Sequence, residues 1–362
     1  MSEQYPGPQP QPPQAQWQAP PQWQPAPYPQ GYPYAAPPVL PSFPHPEPQP
    51  YHLMLRTWTY EWWKPVVGIV LAVAGMLVIA PLVLLPVLAV GVALEDGPFW
   101  ENFLDAATLK AVSPAALFYL NLVLGSMILL TWFIMRVVHR MRPRWLASVV
   151  PRMRWKFLFV CLGLAVIALV AQILVGTLVP TGSGEGDLTG KLNDFTAGTA
   201  AIAVVVLLTT PLQAAGEEYL FRGYLLQAIG SLFRNRWVAI VATATLFALA
   251  HGAQNFPLFF DRFAFGLIAG WLVTRTGGLE AGIALHILNN FLAFGLALSF
   301  GDLTETLNVS EVSWWNIVLT VTQSGVYTAL VLLVARRMGL QTTTRPPLSQ
   351  SQQALSEGAV TG

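Results

Sequence analysis

Charged residues are scarce in this chain of 362 residues: Asp, Glu, Lys and Arg make up 10% of it, against about 25% in an ordinary soluble domain. Cysteine occurs once, as Cys161, which excludes an intrachain disulfide. The formal net charge of +1 gives no reason to expect nucleic acid as a partner. No His-Glu-x-x-His stretch occurs, so the usual zinc-protease helix motif is missing. Instead, 54% of the residues are hydrophobic, which indicates a membrane protein.

Long apolar runs predict an all-α fold: a polytopic membrane helical bundle of about eight transmembrane helices with disordered termini. The estimate takes roughly 20 apolar residues as one crossing. The predicted spans cover residues 66–94, 114–135, 157–179, 197–212, 237–250, 263–273, 279–300 and 314–334. Pro81 and Pro86 predict a kink in the first span, and the sixth is short because Asp261 and Arg262 precede it.

Three regions differ in composition. Residues 1–50 are rich in Pro and Gln and predict a disordered cytoplasmic tail, whose aromatic residues leave a partner-binding role open. Residues 51–338 form the predicted membrane bundle. Residues 339–362 predict a second disordered tail.

Basic residues predict the orientation, because short basic loops stay in the cytoplasm. Seven Lys and Arg residues lie between residues 136 and 156, while the loops assigned to the other side are mainly acidic. We therefore expect a multi-pass protein of the cell membrane with both termini in the cytoplasm.

Two adjacent carboxylates interrupt the apolar sequence at residues 214–223. Ionisable groups inside a membrane cost about 2.5–3.5 kcal/mol each, so they indicate function by default. Glu218 and Arg222 are four residues apart on one helix face and can pair. Glu217 points about 100° away and remains free to act as a general base on water. The alternative is that Glu217 is a second salt-bridge acid or an interfacial charge.

Two later apolar segments contribute polar residues to the same prediction. His251 follows Phe247 by one helical turn, so the phenyl ring can orient the imidazole. His286 and Asn290 are also four residues apart and share a face. Interhelical hydrogen bonding would explain each of these alone. Together with Glu217, they predict one hydrolytic site among three helices.

These motifs resemble those of the CAAX protease and bacteriocin-processing family of intramembrane endopeptidases, relatives of the type II CAAX prenyl endopeptidases. The resemblance covers residues 199–300 and makes 197–300 the protease-like core. It implies hydrolysis of peptide bonds in a membrane-associated protein or peptide at the cytoplasmic side. It also implies Glu217 as the base, Glu218 and Arg222 as supports, and His251, His286 and Asn290 as groups that orient water or stabilise the oxyanion.

The resemblance leaves a cofactor open, since family members are often described as metalloproteases. Glu217, His251 and His286 would supply the three ligands of a catalytic Zn²⁺ ion. A Glu217 that binds metal cannot easily serve as the free base, and the glutamate mechanism requires no metal. We expect no certain cofactor and keep zinc as the alternative.

The competing class is a non-catalytic membrane protein, either a scaffold for peptide binding or toxin immunity or a transporter. Intramembrane carboxylates and histidines also build proton relays.

The depth of the predicted site residues in the membrane raises a second question. At 1.5 Å per residue, Glu217 lies about 30 Å along the fourth span and His251 about 21 Å along the fifth. Because these depths differ, we predict that Pro211 breaks the fourth helix and that the motif helix re-enters at an angle.

Overall fold

The computed structural model describes residues 44–180, 192–252 and 254–345, and every regular element in those ranges is helical. The α-helices are α1 (Trp63–Ala74), α2 (Ala80–Ala93), α3 (Phe99–Ala107), α4 (Pro114–Gly125), α5 (Met127–Val137), α6 (Trp155–Gly176), α7 (Ala197–Glu218), α8 (Leu226–Phe233), α9 (Arg236–Leu249), α10 (Phe256–Thr276), α11 (Glu280–Phe300), α12 (Leu303–Leu307) and α13 (Trp315–Arg337). Short 3-10 helices lie at Tyr51–Leu53 and Pro143–Leu146, and π-helical stretches at Gly75–Ile79 and Tyr219–Leu225. The predicted all-α fold class is confirmed.

Seven helical segments of the described chain are long and apolar enough to cross a membrane. They are Trp63–Ala93, Pro114–Val137, Trp155–Gly176, Ala197–Phe233, Phe256–Thr276, Glu280–Phe300 and Trp315–Arg337. The predicted number was about eight, and the difference is α9, which is too short. The sixth span was wrongly predicted to be the short one. Its helix α10 includes Asp261, whose carboxylate accepts a hydrogen bond from the Thr320 hydroxyl on α13.

The outer surface of these spans is apolar. Large side chains such as Leu77, Val83, Leu208 and Val321 are more than half exposed in the isolated chain. Patches of this kind on a water-soluble monomer would drive aggregation. Around a bundle of membrane-length helices, they are the surface that lipid covers.

The helix of the fourth span continues through Pro211 and does not break there. α7 passes directly into the π-helical stretch and then into α8, which ends where Arg234 adopts a left-handed backbone conformation. At 1.5 Å per residue, Glu217 then lies about 24 Å before the end of α8, and His251 lies about 22 Å beyond the start of α9. The predicted difference in depth between Glu217 and His251 is therefore absent. The sequence ended the fourth span at residue 212, whereas the helical segment continues to Phe233.

The two ends of the described chain meet at one face of the bundle, which we call the terminal face. Pro50 and Thr343 form an isolated antiparallel bridge, and Gln49 and Thr344 exchange two hydrogen bonds. His45 is fully buried near this segment. Packed structure thus begins before residue 51 and continues past residue 338, while residues 1–43 and 346–362 of the predicted tails lie outside the described chain.

The loop that follows α9 reaches the opposite face. Asn255 donates its backbone N–H to the Ser310 carbonyl and its side-chain amide to the Val312 carbonyl, in the segment that precedes α13. α9 begins at Arg236 near the terminal face, beside the end of α13. The α9 segment therefore traverses the bundle despite its short helix, because the loop supplies the remaining length.

Close helix approaches fix the middle of the bundle. α7 packs against α4 and α11, and α6 packs against α11 and α13. A Cβ atom added at Gly216 of α7 would lie 2.1 Å from the Leu124 carbonyl oxygen of α4, so only glycine permits this contact. Glu280, in the first turn of α11, receives two hydrogen bonds from the Arg154 guanidinium, at 2.8 and 2.6 Å. These contacts fix α7 against α4 and α11 against the start of α6, and α7 and α11 pack directly on each other.

Candidate active site

The adjacent glutamates lie at the C-terminal end of α7, where the π-helical stretch begins. Both are buried. Arg222 donates from Nη1 to Glu218 Oε1 at 2.8 Å, and neither of these side chains is exposed, so the predicted pairing is present. An unpaired charge at this depth would be strongly destabilising, so each member of the pair keeps the other in place.

His286 on α11 contacts both glutamates. Its Nδ1 lies 3.0 Å from Glu218 Oε1, and its Nε2 lies 3.6 Å from Glu217 Oε2. A carboxylate only accepts hydrogen bonds, so Nδ1 carries the proton that Glu218 receives. In the neutral imidazole, Nε2 is then a free acceptor directed toward Glu217.

Gln213 joins Glu217 to Asn290, and sequence reasoning missed it. Its Nε2 donates to Glu217 Oε1 at 2.8 Å, and its Oε1 accepts from Asn290 Nδ2 at 2.8 Å. The signal was available, because Gln213 precedes Glu217 by four residues and so shares its helix face. The contact to Asn290 depends on the packing of α7 against α11 and could not be read from spacing.

Phe247 and His251 approach the site from α9. The centroid of the Phe247 ring lies 4.7 Å from that of His251 and 5.9 Å from that of His286, with both pairs edge to face. His251 Nδ1 lies 2.8 Å from the Phe247 carbonyl oxygen. His251 is exposed in the isolated chain, so the site reaches the surface of the bundle at this edge. It interacts electrostatically with Glu217 and His286, but no hydrogen bond joins it to either.

Aromatic rings surround the buried arginine of the ion pair. The guanidinium carbon of Arg222 lies 4.1 Å from the Phe247 ring centroid and 5.0 Å from that of Phe265. Phe265 also contacts His286, with ring centroids 5.0 Å apart. Cation–π contacts of this kind favour a desolvated guanidinium. Phe247 therefore packs against three of the polar groups that define the site.

Arg262 on α10 is a second group that sequence reasoning did not assign to the site. Its buried Nη1 atom has no hydrogen-bond partner in the described part of the chain. It interacts electrostatically with Glu217 and with His251. Its neighbour Asp261, whose carboxylate accepts a hydrogen bond from Thr320, also interacts electrostatically with Arg262. The site thus has one more cation than the sequence motifs suggested.

Glu217 Oε2 is buried and has no hydrogen-bond partner in the described ranges, and the same is true of Glu218 Oε2. A buried carboxylate oxygen without a donor is costly unless water or a ligand satisfies it. Of the two, Glu217 Oε2 lies beside the free Nε2 acceptor of His286. One water molecule can donate a hydrogen bond to each of these two acceptors.

The residues do not fit the predicted zinc alternative. Across the described residues, no group of three or more His, Cys, Asp or Glu side chains is arranged to hold a metal ion. His286 Nε2 and Glu217 Oε2 are not engaged by protein donors, but no third His, Cys, Asp or Glu of the described chain is grouped with them. No chemical step is therefore assigned to a metal here.

Comparison with known proteins confirms the family resemblance. The model of the family described as Type II CAAX prenyl endopeptidase Rce1-like matches residues 199–292, which include all four predicted catalytic residues. The uncharacterized protein YyaK of Bacillus subtilis (strain 168) is 30% identical over 95 residues, 25% of this chain and 32% of that protein. The chain thus covers about a third of that relative's length. No solved structure matches the chain.

Proposed function

We propose that this chain is an intramembrane endopeptidase that hydrolyses peptide bonds in a membrane-associated protein or peptide, with Glu217 activating the attacking water. The family match over residues 199–292 supports a CAAX-type protease in general. The seven apolar helices support a multi-pass membrane protein.

The observation that carries the proposal is the asymmetric environment of the Glu217 carboxylate. Gln213 holds Oε1, whereas Oε2 is buried without a donor and faces His286 Nε2 at 3.6 Å. A salt-bridge acid would have a cation on this oxygen, and His286 with a proton on Nδ1 alone is neutral and supplies none. A general base requires an oriented carboxylate with one oxygen that has no protein donor, which is the arrangement at Glu217.

Glu217 and His286 orient the water in this mechanism. The water donates one hydrogen to Glu217 Oε2 and the other to His286 Nε2, which leaves its lone pairs free for attack. As the water oxygen bonds to the scissile carbonyl carbon, Glu217 takes one proton and the carbonyl oxygen becomes an oxyanion. Cleavage of the C–N bond follows when Glu217 returns that proton to the leaving nitrogen.

Asn290 and Arg262 are the hydrogen-bond donors that we assign to the oxyanion. Asn290 uses one N–H on Gln213 and has a second N–H free. Arg262 has the unpartnered Nη1 described above. His251 has a different role, because its Nδ1–H donates to the Phe247 carbonyl and its Nε2 is an acceptor in the neutral form. We assign His251 to holding the water or the leaving amine at the open edge.

We place the terminal face of the bundle in the cytoplasm. The basic segment between residues 136 and 156 supports this orientation through the preference of short basic loops for the cytoplasmic side. The contacts of Gln49 with Thr344 put both ends of the described chain at that face. Both termini then lie in the cytoplasm, and the helical bundle lies in the cell membrane.

Replacement of Glu217 by Gln tests the proposed function. The substitution keeps the shape of the side chain and an Oε1 acceptor for Gln213, so the fold should be retained. We expect loss of peptide cleavage in proteoliposomes, with membrane-peptide substrates accumulating in cells. Glu305→Gln, at an exposed acid of α12, is the matched control and should cleave normally. A Glu217→Gln protein with an unchanged cellular phenotype and unchanged cleavage would instead indicate a binding scaffold or a transporter.

A further inference from the structure

The terminal face contains a cavity of about 420 Å³ outside the candidate active site. It lies between the first residue of α9, the last turns of α10 and α13, and the segment after α13. Three of its lining side chains are arginines, Arg236, Arg275 and Arg336. None of the acidic residues in the described chain lines it. The cavity is therefore strongly basic, and the protease mechanism makes no use of it.

None of these three arginines pairs with a carboxylate in the described parts of the chain, where the arginine ion pairs are those of Arg154 and Arg222. Arg236 lies over the Trp237 ring, with its guanidinium carbon 5.4 Å from the ring centroid. Like charges around one cavity repel each other, and a bound anion would remove that repulsion. The absence of an internal counter-charge therefore points to an external one.

The helix dipole accounts for the position of only two of the three arginines. Arg275 and Arg336 lie in the last turns of α10 and α13, where a cation is favourable next to the negative end of the helix dipole. Arg236 is the first residue of α9, where the dipole favours an anion and disfavours a cation. A ligand with negative charge between the three side chains would stabilise all of them, including Arg236.

We infer that this cavity binds a phosphate group, supplied by the headgroup of an anionic phospholipid. Guanidinium groups match phosphate oxygens in a planar, two-pronged geometry, which makes arginine the preferred residue for this anion. Basic pockets between the cytoplasmic ends of membrane helices are typical sites for such headgroups. Leu332 and Leu340 line the same cavity and offer apolar contact to the glycerol and acyl region.

The position of the site suggests what the lipid does. Pro50 and Thr343, which form the bridge between the two ends of the described chain, also line the cavity. A headgroup bound here contacts α9, α10, α13 and both terminal segments at once. The lipid would therefore stabilise the terminal face, and this role does not depend on the proposed protease activity.

Native mass spectrometry of the full-length protein in detergent tests the inference. Phosphatidylglycerol and phosphatidylcholine with the same acyl chains are added separately, and we expect stable adducts with the anionic lipid only. The triple variant Arg236→Gln, Arg275→Gln, Arg336→Gln should bind phosphatidylglycerol more weakly by roughly fivefold per arginine removed. Arg337→Gln is the matched control, because Arg337 is an exposed neighbour of Arg336 that does not line the cavity. It should bind like the unmodified protein.

Inorganic phosphate alone forms the second arm of the experiment. If phosphate binds and the three arginines are required, while phosphatidylglycerol shows no preference over phosphatidylcholine, the ligand is a free phosphate and the lipid assignment is wrong. Equal phosphatidylglycerol binding by the triple variant and by Arg337→Gln overturns the site altogether. If the triple variant does not elute as a folded protein in size-exclusion chromatography, Arg275→Gln alone, at an exposed helix end, should still weaken binding about fivefold.

Discussion

The backbone of Gly282 in α11 lies against the Glu218 carboxylate of α7: a Cβ atom at position 282 would be 2.6 Å from Glu218 Oε2. Glu218 cannot move aside freely, because its other oxygen binds Arg222 and His286. The glycine thus permits the approach that brings His286 to both glutamates. This contact makes the geometry of the site sensitive to a single methyl group.

Gly282→Ala should therefore lower both stability and activity. The added methyl group forces Glu218, and with it His286, out of position, and overpacking of this kind costs about 1–3 kcal/mol. We expect a lower melting temperature in detergent and a cleavage rate reduced by at least an order of magnitude. Gly295→Ala, on the same helix, is the control, because a Cβ atom there has no neighbour within 4 Å. Similar behaviour of the two variants would show that the contact with Glu218 is unimportant.

Asn290 and Asn289 provide a matched pair of neighbours with different partners. Asn290 donates to Gln213 in the candidate site, whereas Asn289 Oδ1 accepts from Gln323 on α13 at 2.7 Å. Removal of an oxyanion donor lowers kcat by about 10²–10³ in other proteases, so we expect a loss of this size for Asn290→Ala. Asn289→Ala removes only an interhelical hydrogen bond, worth about 0.6 kcal/mol, and should leave kcat unchanged.

The assay for this pair separates kcat from KM with one peptide substrate. A role in stabilising the transition state requires that Asn290→Ala lowers kcat more than it changes substrate affinity. A variant that changes only KM would place Asn290 in substrate binding instead. Equal losses in the Asn290 and Asn289 variants would indicate a general packing effect and contradict the assignment.

The spacing of residues in the sequence was sufficient to predict the contacts between residues one helical turn apart. The pairing of Glu218 with Arg222 and the position of Phe247 beside His251 follow from the separation of four residues, which places side chains on one face. The long apolar runs likewise predicted the helices of the bundle, because their length must match the membrane. These features depend only on neighbours in sequence.

Features that depend on contacts between helices could not be predicted in this way. Proline usually ends a helix, yet Pro211 is tolerated inside α7, and the irregular π-helical turn lies eight residues later at Tyr219–Leu225. The link between Gln213 and Asn290 requires the packing of α7 on α11. The relation of Arg262 to Glu217 requires the position of α10. No pattern in one segment contains that information.

Metal dependence separates the two mechanisms that the sequence left open. Because the described His and Glu side chains form no three-ligand group, we expect peptide cleavage to survive exhaustive chelation. Elemental analysis of the purified active protein should find no stoichiometric zinc. Loss of activity on chelation, with full recovery on addition of Zn²⁺, would show that Glu217, His251 and His286 rearrange into a metal site in the active state.

We expect the packing of the N-terminal segment to depend on pH through His52. Burial lowers the pKa of His52 from 6.5 to about 4, and the nearby Arg236 acts in the same direction. A histidine with a lowered pKa in the folded state stabilises the fold above its unfolded pKa, and this contribution is lost as the pH falls from about 6.5 toward 4. We expect the melting temperature in detergent to fall more steeply over this range in the unmodified protein than in His52→Gln.

The comparison with His52→Gln also controls for the other buried histidines that titrate. His45 and His139 also have lowered pKa values because of burial, and both remain in the His52→Gln variant. Their contribution is therefore common to both proteins, and the difference between the two slopes belongs to His52. Parallel melting curves from pH 7.5 to 4.5 would mean that protonation of His52 costs the fold nothing. The Tyr51–Leu53 segment would then accommodate a charged imidazole without leaving its place against α8.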